Sequence, residues 1–185
     1  MKRYILIAGV NGAGKSTLYQ ALPSLFDMNR VNTDEIVKAI GDWKNMADVM
    51  TAGKIAIKRI GEYFNSEESF NQETTLCGQA ILKKINYAKE KGYLIEMHYI
   101  GVDDVRIAKE RVHKRVANGG HGIPDKDIER RYIRSFENLK KVMDQCNLIA
   151  FYDNTISFRR FAIYKNGTPV RISKNVPEWF EKYIH

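Results

Sequence analysis

The sequence predicts an α/β fold in three layers, a mainly parallel sheet of five strands with helices on both faces. Three observations predict it. Short apolar or β-branched runs alternate with helix-patterned segments through most of the 185 residues, the order that produces βαβ units. The first run leads into Gly9, Val10, Asn11, Gly12, Ala13, Gly14, Lys15 and Ser16, which fits the phosphate-cradling pattern G-x-x-x-x-G-K-S between a strand and a helix. The composition, 44% hydrophobic, supports one sizeable core at this length. The expectation is a P-loop NTPase fold with residues 1–185 forming a single domain.

Each element has its own local reason. Tyr4 to Ala8 is an unbroken apolar run, read as a buried strand, and the helix after Gly14 reaches Pro23. Arg30 to Asn32 reads as a short second strand, after which Thr33 or Asp34 is expected to cap a helix through Ile40. Met46, Val49, Met50, Ile57, Ile60 and Phe64 recur at helical spacing within 42–64. Phe70 to Thr74 reads as a strand, Gln79 to Lys91 as a helix stopped by Gly92, and Tyr93 to Ile100 as the clearest interior strand. Val105, Ala108, Val112 and Val116 form one stripe of the helix from Asp103 to Val116. Gly119, Gly120, His121 and Gly122 break it, and Pro124 starts a helix that runs to about Gln145. Leu148 to Tyr152 is the last core strand, ending at Asp153 and Asn154. Asn166-Gly167 between Phe161–Lys165 and Thr168–Ile172 is a hairpin signal, and Val176 to Ile184 reads as a terminal helix, so 158–185 forms a C-terminal appendix.

Composition narrows the setting. No apolar stretch approaches the roughly 18 to 20 residues that cross a bilayer, and the apolar start runs directly into the glycine loop. A cytoplasmic protein without membrane contact is expected. Cys77 and Cys146 lie in helix-patterned segments with no partner at metal-ligand spacing, so both are expected as buried free thiols. The net charge of +8 is concentrated in residues 106–141, where eleven Lys or Arg face five Asp or Glu. Such a patch suits phosphates of some kind.

The loop carries the chemistry. Gly9, Gly12, Ala13 and Gly14 let backbone amides curl around phosphate oxygens, with Asn11 and Thr17 on the same loop and helix start. Lys15 is expected on the β and γ phosphates and Ser16 on Mg²⁺. Ligands of open α/β sheets bind beyond the carboxyl ends of strands. Three groups lie there: Asn32 with Asp34, Glu73 with Thr74 and Thr75, and Asp153 with Asn154. Asp34 is the candidate base for an attacking hydroxyl, Glu73 a candidate for Mg²⁺ through water or for a substrate hydroxyl, and Asn154 for the nucleotide base or a turn. Glu96 and His98 stand where a motor-type P-loop protein has aliphatics ending in Asp, and are expected to point away from the site.

The basic segment reads as a lid over about 111–135. Arg111 and Arg115 are i, i+4 on one helix, and Arg131, Arg134 and Asn138 are i, i+3, i+7 on the next. Hinged on glycines, such a hairpin brings guanidinium groups to a transferring phosphoryl group and excludes water. His121 at the hinge is a hydrogen-bonding or phosphate-contacting candidate.

The loop, Asn32-Thr33-Asp34, Glu73-Thr74-Thr75 and above all Arg111, Arg115, Gly119, Gly120, His121, Ile123 and Pro124 with Arg130, Arg131 and Tyr132 resemble the zeta-toxin-like P-loop kinases, in their small stand-alone predicted-ATPase branch. The resemblance covers residues 3 to about 154 and implies a strand order of 2-3-1-4-5. It implies transfer of a phosphoryl group from ATP or GTP, with Mg²⁺, to a sugar hydroxyl of UDP-N-acetylglucosamine. It further implies that Lys15 binds phosphate, Asp34 is the base, Glu73 contacts substrate, Arg115 and Arg131 stabilise the transferred group, and an antitoxin protein is a partner. This chain departs in being short, with a 42–64 helix free to form a different acceptor pocket.

Three functions follow. The first is a Mg²⁺-dependent phosphotransferase acting on a small hydroxyl-bearing molecule, with Asn32, Glu73, Thr74, Thr75, Arg111, His121 and Arg134 on the substrate side. The second is a polynucleotide-end kinase, disfavoured because Tyr132 and Phe136 are the lid's only aromatics for base stacking. The third is a nucleotide-gated ATPase or binding switch, which would not need a base at Asp34.

Overall fold

The first strand is apolar on both faces because it lies in the middle of the sheet. The computed structural model describes residues 1–25 and 27–184. In it β1 (Arg3–Ala8) pairs parallel on one side with β3 (Phe70–Thr74) and on the other with β4 (Leu94–Gly101), Ile7 sitting opposite Glu73 and His98. β2 (Asn29–Val31) lies outside β3, and β5 (Leu148–Asp153) continues beyond β4. The parallel order 2-3-1-4-5 is therefore present. The hairpin of β6 (Arg159–Lys165) and β7 (Thr168–Ile172) does not stand apart: β6 pairs antiparallel with β5, giving a seven-stranded sheet in the order 2-3-1-4-5-6-7. At its turn Asn166 and Gly167 both take positive φ, 48° and 76°, as a tight hairpin turn demands.

Helices α1 (Lys15–Ala21), α2 (Thr33–Ile40), α3 (Met46–Asn65), α4 (Gln79–Glu90), α5 (Val105–Ala117), α6 (Asp125–Val142) and α7 (Glu178–Tyr183) complete the chain. The crossover from β1 to β2 runs towards one edge and the later parallel crossovers towards the other. Right-handed connections accordingly place α1 on one face and α2 to α6 on the opposite face. Among the described residues no helix is long and apolar enough to cross a membrane.

Packing fixes the ends of these elements near the loop. Asn71, fully buried on β3, donates to the Leu25 carbonyl at 2.7 Å and accepts from the Tyr19 hydroxyl at 3.0 Å, tying α1 to the sheet through a satisfied polar group. The face carrying α6 and α7 holds an aromatic cluster: Trp179 stacks on Phe136 with centroids 5.5 Å apart and meets Phe161 edge-on at 5.6 Å. Each such ring removes enough apolar area from water to contribute about 2 kcal/mol.

Three local expectations differ. Asn32, not Thr33 or Asp34, caps α2, accepting from the Asp34 and Glu35 amides at 2.9 and 3.4 Å. Helix α3 begins at Met46 rather than 42, because Asn45 caps it and residues 42–45 form a turn closed by Asn45 N to Asp42 O. The cysteines flank helices instead of lying within them. Cys77 is half-buried before α4, where Leu76 turns at φ 57°, and Cys146 is buried just before β5, where burial pushes its thiol up to about 12.

Candidate active site

The loop between β1 and α1 is shaped by close approach as much as by sequence pattern. Gly12 has φ 82°, and a Cβ there would lie 2.3 Å from the Ala108 carbonyl oxygen of α5. Gly14 has φ 105°, and its Cβ would meet Asn154 Nδ2 at 2.1 Å. Only glycine fits either position. Gly14 caps α1 without a side-chain hydrogen bond, so the first amides of the helix are left for an anion. Lys15 is buried in the mouth of its own loop, donating to the Gly9 and Val10 carbonyls at 2.9 and 3.2 Å, with Glu73 Oε1 at 3.8 Å. Burial pushes the Lys15 ammonium below its ordinary range, against the pull of Glu73 and Asp34. Ser16, the next residue, is exposed and lines the wider of two clefts.

Behind the loop, Asn154 donates to the Ala13 carbonyl at 2.9 Å, and Arg111 donates to the Asn154 carbonyl at 2.8 Å and reaches the Gly12 carbonyl at 3.5 Å. Arg111, expected on the substrate side, thus braces the outer side of the loop and lines neither cleft.

In front of the loop stand the ends of β2 and β3. Asn32 uses its carbonyl oxygen as the α2 cap and its amide nitrogen to hold Glu73 Oε2 at 2.9 Å. Capping by Asn32 relieves Asp34 of that duty, and the Asp34 carboxylate faces both clefts, 3.9 Å from His121 Nε2. Burial raises the Glu73 carboxyl above its usual range, opposed by Lys15. Thr74 Oγ1 accepts from the Leu76 amide, Thr75 Oγ1 lies 3.0 Å from Cys77 Sγ, and both residues line the narrower cleft. Arg30, which no sequence motif marks, lies 3.9 Å over the Tyr19 ring, 2.8 Å from Glu35 and 3.9 Å from Glu73. Two-residue periodicity from Asn32 would have found it. Trp43, on the loop before α3, was also missed and has no periodic signal.

The hinged hairpin closes the other side. Arg115 Nε donates to the His121 carbonyl at 2.8 Å, and the Arg115 carbonyl accepts from Gly120 N at 2.9 Å. The His121 ring sits 5.3 Å from Trp43, and burial lowers its basicity. Arg131 reaches Asn11 Oδ1 of the loop at 3.0 Å. Arg134 does not join them. Three residues advance a helix by about 300°, which turns Arg134 to solvent, while Asn138, back at the azimuth of Arg131, is buried and donates to the Leu76 carbonyl at 2.9 Å. Tyr132 and Phe136 are buried in the hairpin base rather than displayed on it.

The two clefts, of about 670 and about 360 Å³, share Asn32, Asp34, Val37, Glu73 and His121. The larger adds Ser16, Arg30, Trp43 and Arg115; the smaller adds Asn11, Lys15, Thr74, Thr75 and Arg131. Among the described residues no group of three or more His, Cys, Asp or Glu makes a stand-alone metal cage. The oxygens present, from Ser16, Asp34 and Glu73, suit a hard cation such as Mg²⁺, which takes one or two protein ligands and completes its sphere with phosphate oxygens and water. Glu96 and His98 are satisfied elsewhere: His98 Nε2 and Glu96 Oε1 are 2.8 Å apart, Arg3 pairs with Glu96, and His98 Nδ1 meets the Tyr152 hydroxyl at 3.1 Å.

Comparison with known proteins adds a family to this geometry. An uncharacterised protein of Haemophilus influenzae is 31% identical over 128 residues, covering 69% of this chain and 91% of that protein. A chain of the AvrRxo1-ORF1:AvrRxo1-ORF2 complex, solved with sulphate ions, is similar over 99% of this chain at 15% identity and a TM-score of 0.75; this chain spans 63% of it, and the same complex has been solved with ATP. A chain of the PezAT chromosomal toxin–antitoxin system of Streptococcus pneumoniae is similar over 85% of this chain and 71% of its own, at 18% identity and a TM-score of 0.63. The AAA_33 family, described as an AAA domain, matches residues 5–139. With the phosphate loop, strands β1 to β4 and the hinged helices as far as Leu139 inside that match, the chain belongs to the AAA_33 family and is a P-loop kinase-like domain.

Proposed function

We propose that the protein is a Mg²⁺-dependent phosphotransferase that moves the γ-phosphoryl group of ATP, or of GTP, to a hydroxyl of a small molecule. One observation carries the reading: Asn32 supplies the α2 cap, which leaves the Asp34 carboxylate at the junction of the two clefts, facing the Lys15 end of the phosphate loop. A nucleotide switch has no use for a free carboxylate there. In the proposed reaction the acceptor oxygen forms a bond to the γ-phosphorus as the bond to the β,γ-bridging oxygen breaks, and Asp34 takes the hydroxyl proton. Lys15, Arg115 and Arg131 oppose the charge on the transferred group. Ser16 and Glu73 would hold Mg²⁺, which supplies charge neutralisation at the phosphates. The solved ATP complex of AvrRxo1-ORF1:AvrRxo1-ORF2 supports ATP as donor.

The larger cleft is the acceptor site in this proposal. Its size falls in the range of small-molecule pockets, and Arg30, Arg115 and Trp43 on its walls suit an anionic acceptor with a planar ring. A UDP-amino sugar such as UDP-N-acetylglucosamine, the substrate of the resembled zeta group, meets that description and is the acceptor proposed. Asn32, Glu73 and His121, which line this cleft, would contact it, with Thr74 and Thr75 in the adjoining smaller cleft. A protein antitoxin is proposed as partner, supported by the two-component complexes to which the similar structures belong. Purified protein incubated with γ-labelled ATP, Mg²⁺ and a panel of UDP-sugars, nucleosides and short RNAs tests the reading. Label on a UDP-sugar is expected, and release of free phosphate alone would overturn it.

A further inference from the structure

The segment after residue 139 lies outside the family match, yet it reaches the phosphate loop in two steps. Trp179 of α7 is fully buried, and its indole occupies the space beside Gly101 at the end of β4, where a Cβ would lie 2.3 Å from Trp179 Cε2. Its backbone N–H donates to Asp103 Oδ1 at 2.9 Å and its ring Nε1–H to Asp153 Oδ1 at 3.4 Å. The same Asp153 oxygen accepts from the Thr155 amide at 3.1 Å and the Thr155 hydroxyl at 2.7 Å, and that hydroxyl accepts from Asp103 N at 3.0 Å. One helix thereby stitches together the carboxyl ends of β4 and β5. Between Asp153 and Thr155 sits Asn154, whose amide holds the Ala13 carbonyl and whose side chain occupies the space that a Cβ on Gly14 would need.

We infer that Trp179 is a positioning residue of the nucleotide site: through Asp153 it fixes the 153–155 turn that presses the phosphate loop into its phosphate-binding shape. The physical reason lies in the loop itself. Gly12 and Gly14 give its backbone freedom that the chain must remove before the amides converge on a phosphate. Asn154 and Arg111 supply the restraint from outside, and their own position depends on a buried carboxylate, Asp153, that must keep its donors satisfied. Removing the indole N–H takes one of those donors away. In the other direction, phosphate in the loop draws Lys15 from the Gly9 and Val10 carbonyls, which are covalently continuous with Ala13, and that change reaches the indole along the same contacts.

The inference rests on the reading of the loop as a nucleotide site and needs no phosphoryl transfer, so its test uses binding alone. Trp43 and Trp179 are the two tryptophans of the chain, so the Trp43→Phe protein reports from Trp179. Titration with a non-hydrolysable ATP analogue and Mg²⁺ is expected to change Trp179 emission saturably, at the dissociation constant found by calorimetry, while UDP-N-acetylglucosamine alone leaves it unchanged. Trp179→Phe, which keeps an aromatic ring in the cluster, is expected to bind the analogue about tenfold more weakly with a native far-UV circular dichroism spectrum. Emission that stays flat through saturation, or a folded Trp179→Phe protein with unaltered affinity, would overturn the inference. If Trp179→Phe does not fold, the emission titration decides alone. Binding without transfer to any acceptor would remove the kinase reading and leave this one standing.

Discussion

Asn32 and Glu73 are joined by a 2.9 Å hydrogen bond from the Asn32 amide to Glu73 Oε2, while the other side of the same amide caps α2. One residue thus couples a helix start to the buried carboxylate beside Lys15. Asn32→Ala is expected to destabilise the protein by about 1 kcal/mol through the lost cap and to depress phosphoryl transfer through Glu73. Asn32→Asp keeps a cap oxygen but sets a second carboxylate against Glu73. Urea unfolding should show that it retains most of the stability, and label transfer should show that it loses the activity. Equal activity in Asn32→Asp and the parent would refute the coupling.

Asp34 carries no capping bond, so its removal should leave α2 intact. Asp34→Asn is expected to lower transfer by at least about 100-fold, with ATP affinity within about twofold and stability within about 0.5 kcal/mol. Calorimetric binding and label transfer on one preparation check it, and retained transfer would remove Asp34 as the base.

On the hinged helices Arg115 and Arg131 line the clefts, whereas Arg134 faces solvent. Arg115→Ala and Arg131→Ala should each lower transfer by about 100-fold or more, whereas Arg134→Ala, exposed on α6, should stay within about twofold. Equivalent losses at all three would mean that the basic surface acts as a whole rather than through named contacts.

Glycines in different surroundings should answer alanine in opposite ways. Gly12→Ala places a methyl group against the Ala108 carbonyl at positive φ and is expected to cost about 2 kcal/mol or more, with loss of ATP binding. Gly53, inside α3 with open space around it, is expected to gain about 0.5 to 1 kcal/mol as Gly53→Ala. Thermal unfolding of the pair measures both.

Burial alone would raise the Glu96 carboxyl, but hydrogen bonds from His98 and Arg3 hold it down to about 2. A carboxylate depressed in the folded state contributes stability above its unfolded range and loses it as pH falls through the folded value. Allowing for partial solvent screening, Glu96→Gln should cost on the order of 1 to 2 kcal/mol at pH 7. The gap from the parent should close between about pH 5 and pH 2, which urea unfolding across pH would reveal; a gap independent of pH would rule out the ionic origin.

The strand, phosphate loop and first helix were legible because every signal there is local: a run apolar on both faces, glycines at fixed spacing, then a helix. The α2 cap was not, since Asn32, Thr33 and Asp34 are three consecutive residues each able to cap, and only the pull of Glu73 selects among them. Arg134 leaves the face of Arg131 despite a spacing of three, because the shortfall of about 60° from a full turn decides exposure when the buried stripe lies to one side. Asn166-Gly167 announced a hairpin, but its docking on β5 depends on Phe161 meeting Phe151 and Phe180, contacts remote in sequence. Trp43 enters the larger cleft from a turn whose path is set by tertiary packing.

Strand β7 ends the sheet with all five residues exposed, including Val170 and Ile172. An outer strand of this kind is a template on which a second molecule could extend the ladder into aggregates. Pro169 interrupts its row of donors, and Arg171 within it, with Lys165 and Lys174 nearby, places like charges where two such edges would meet. The hairpin that enlarges the sheet therefore also carries the features that keep it from growing further.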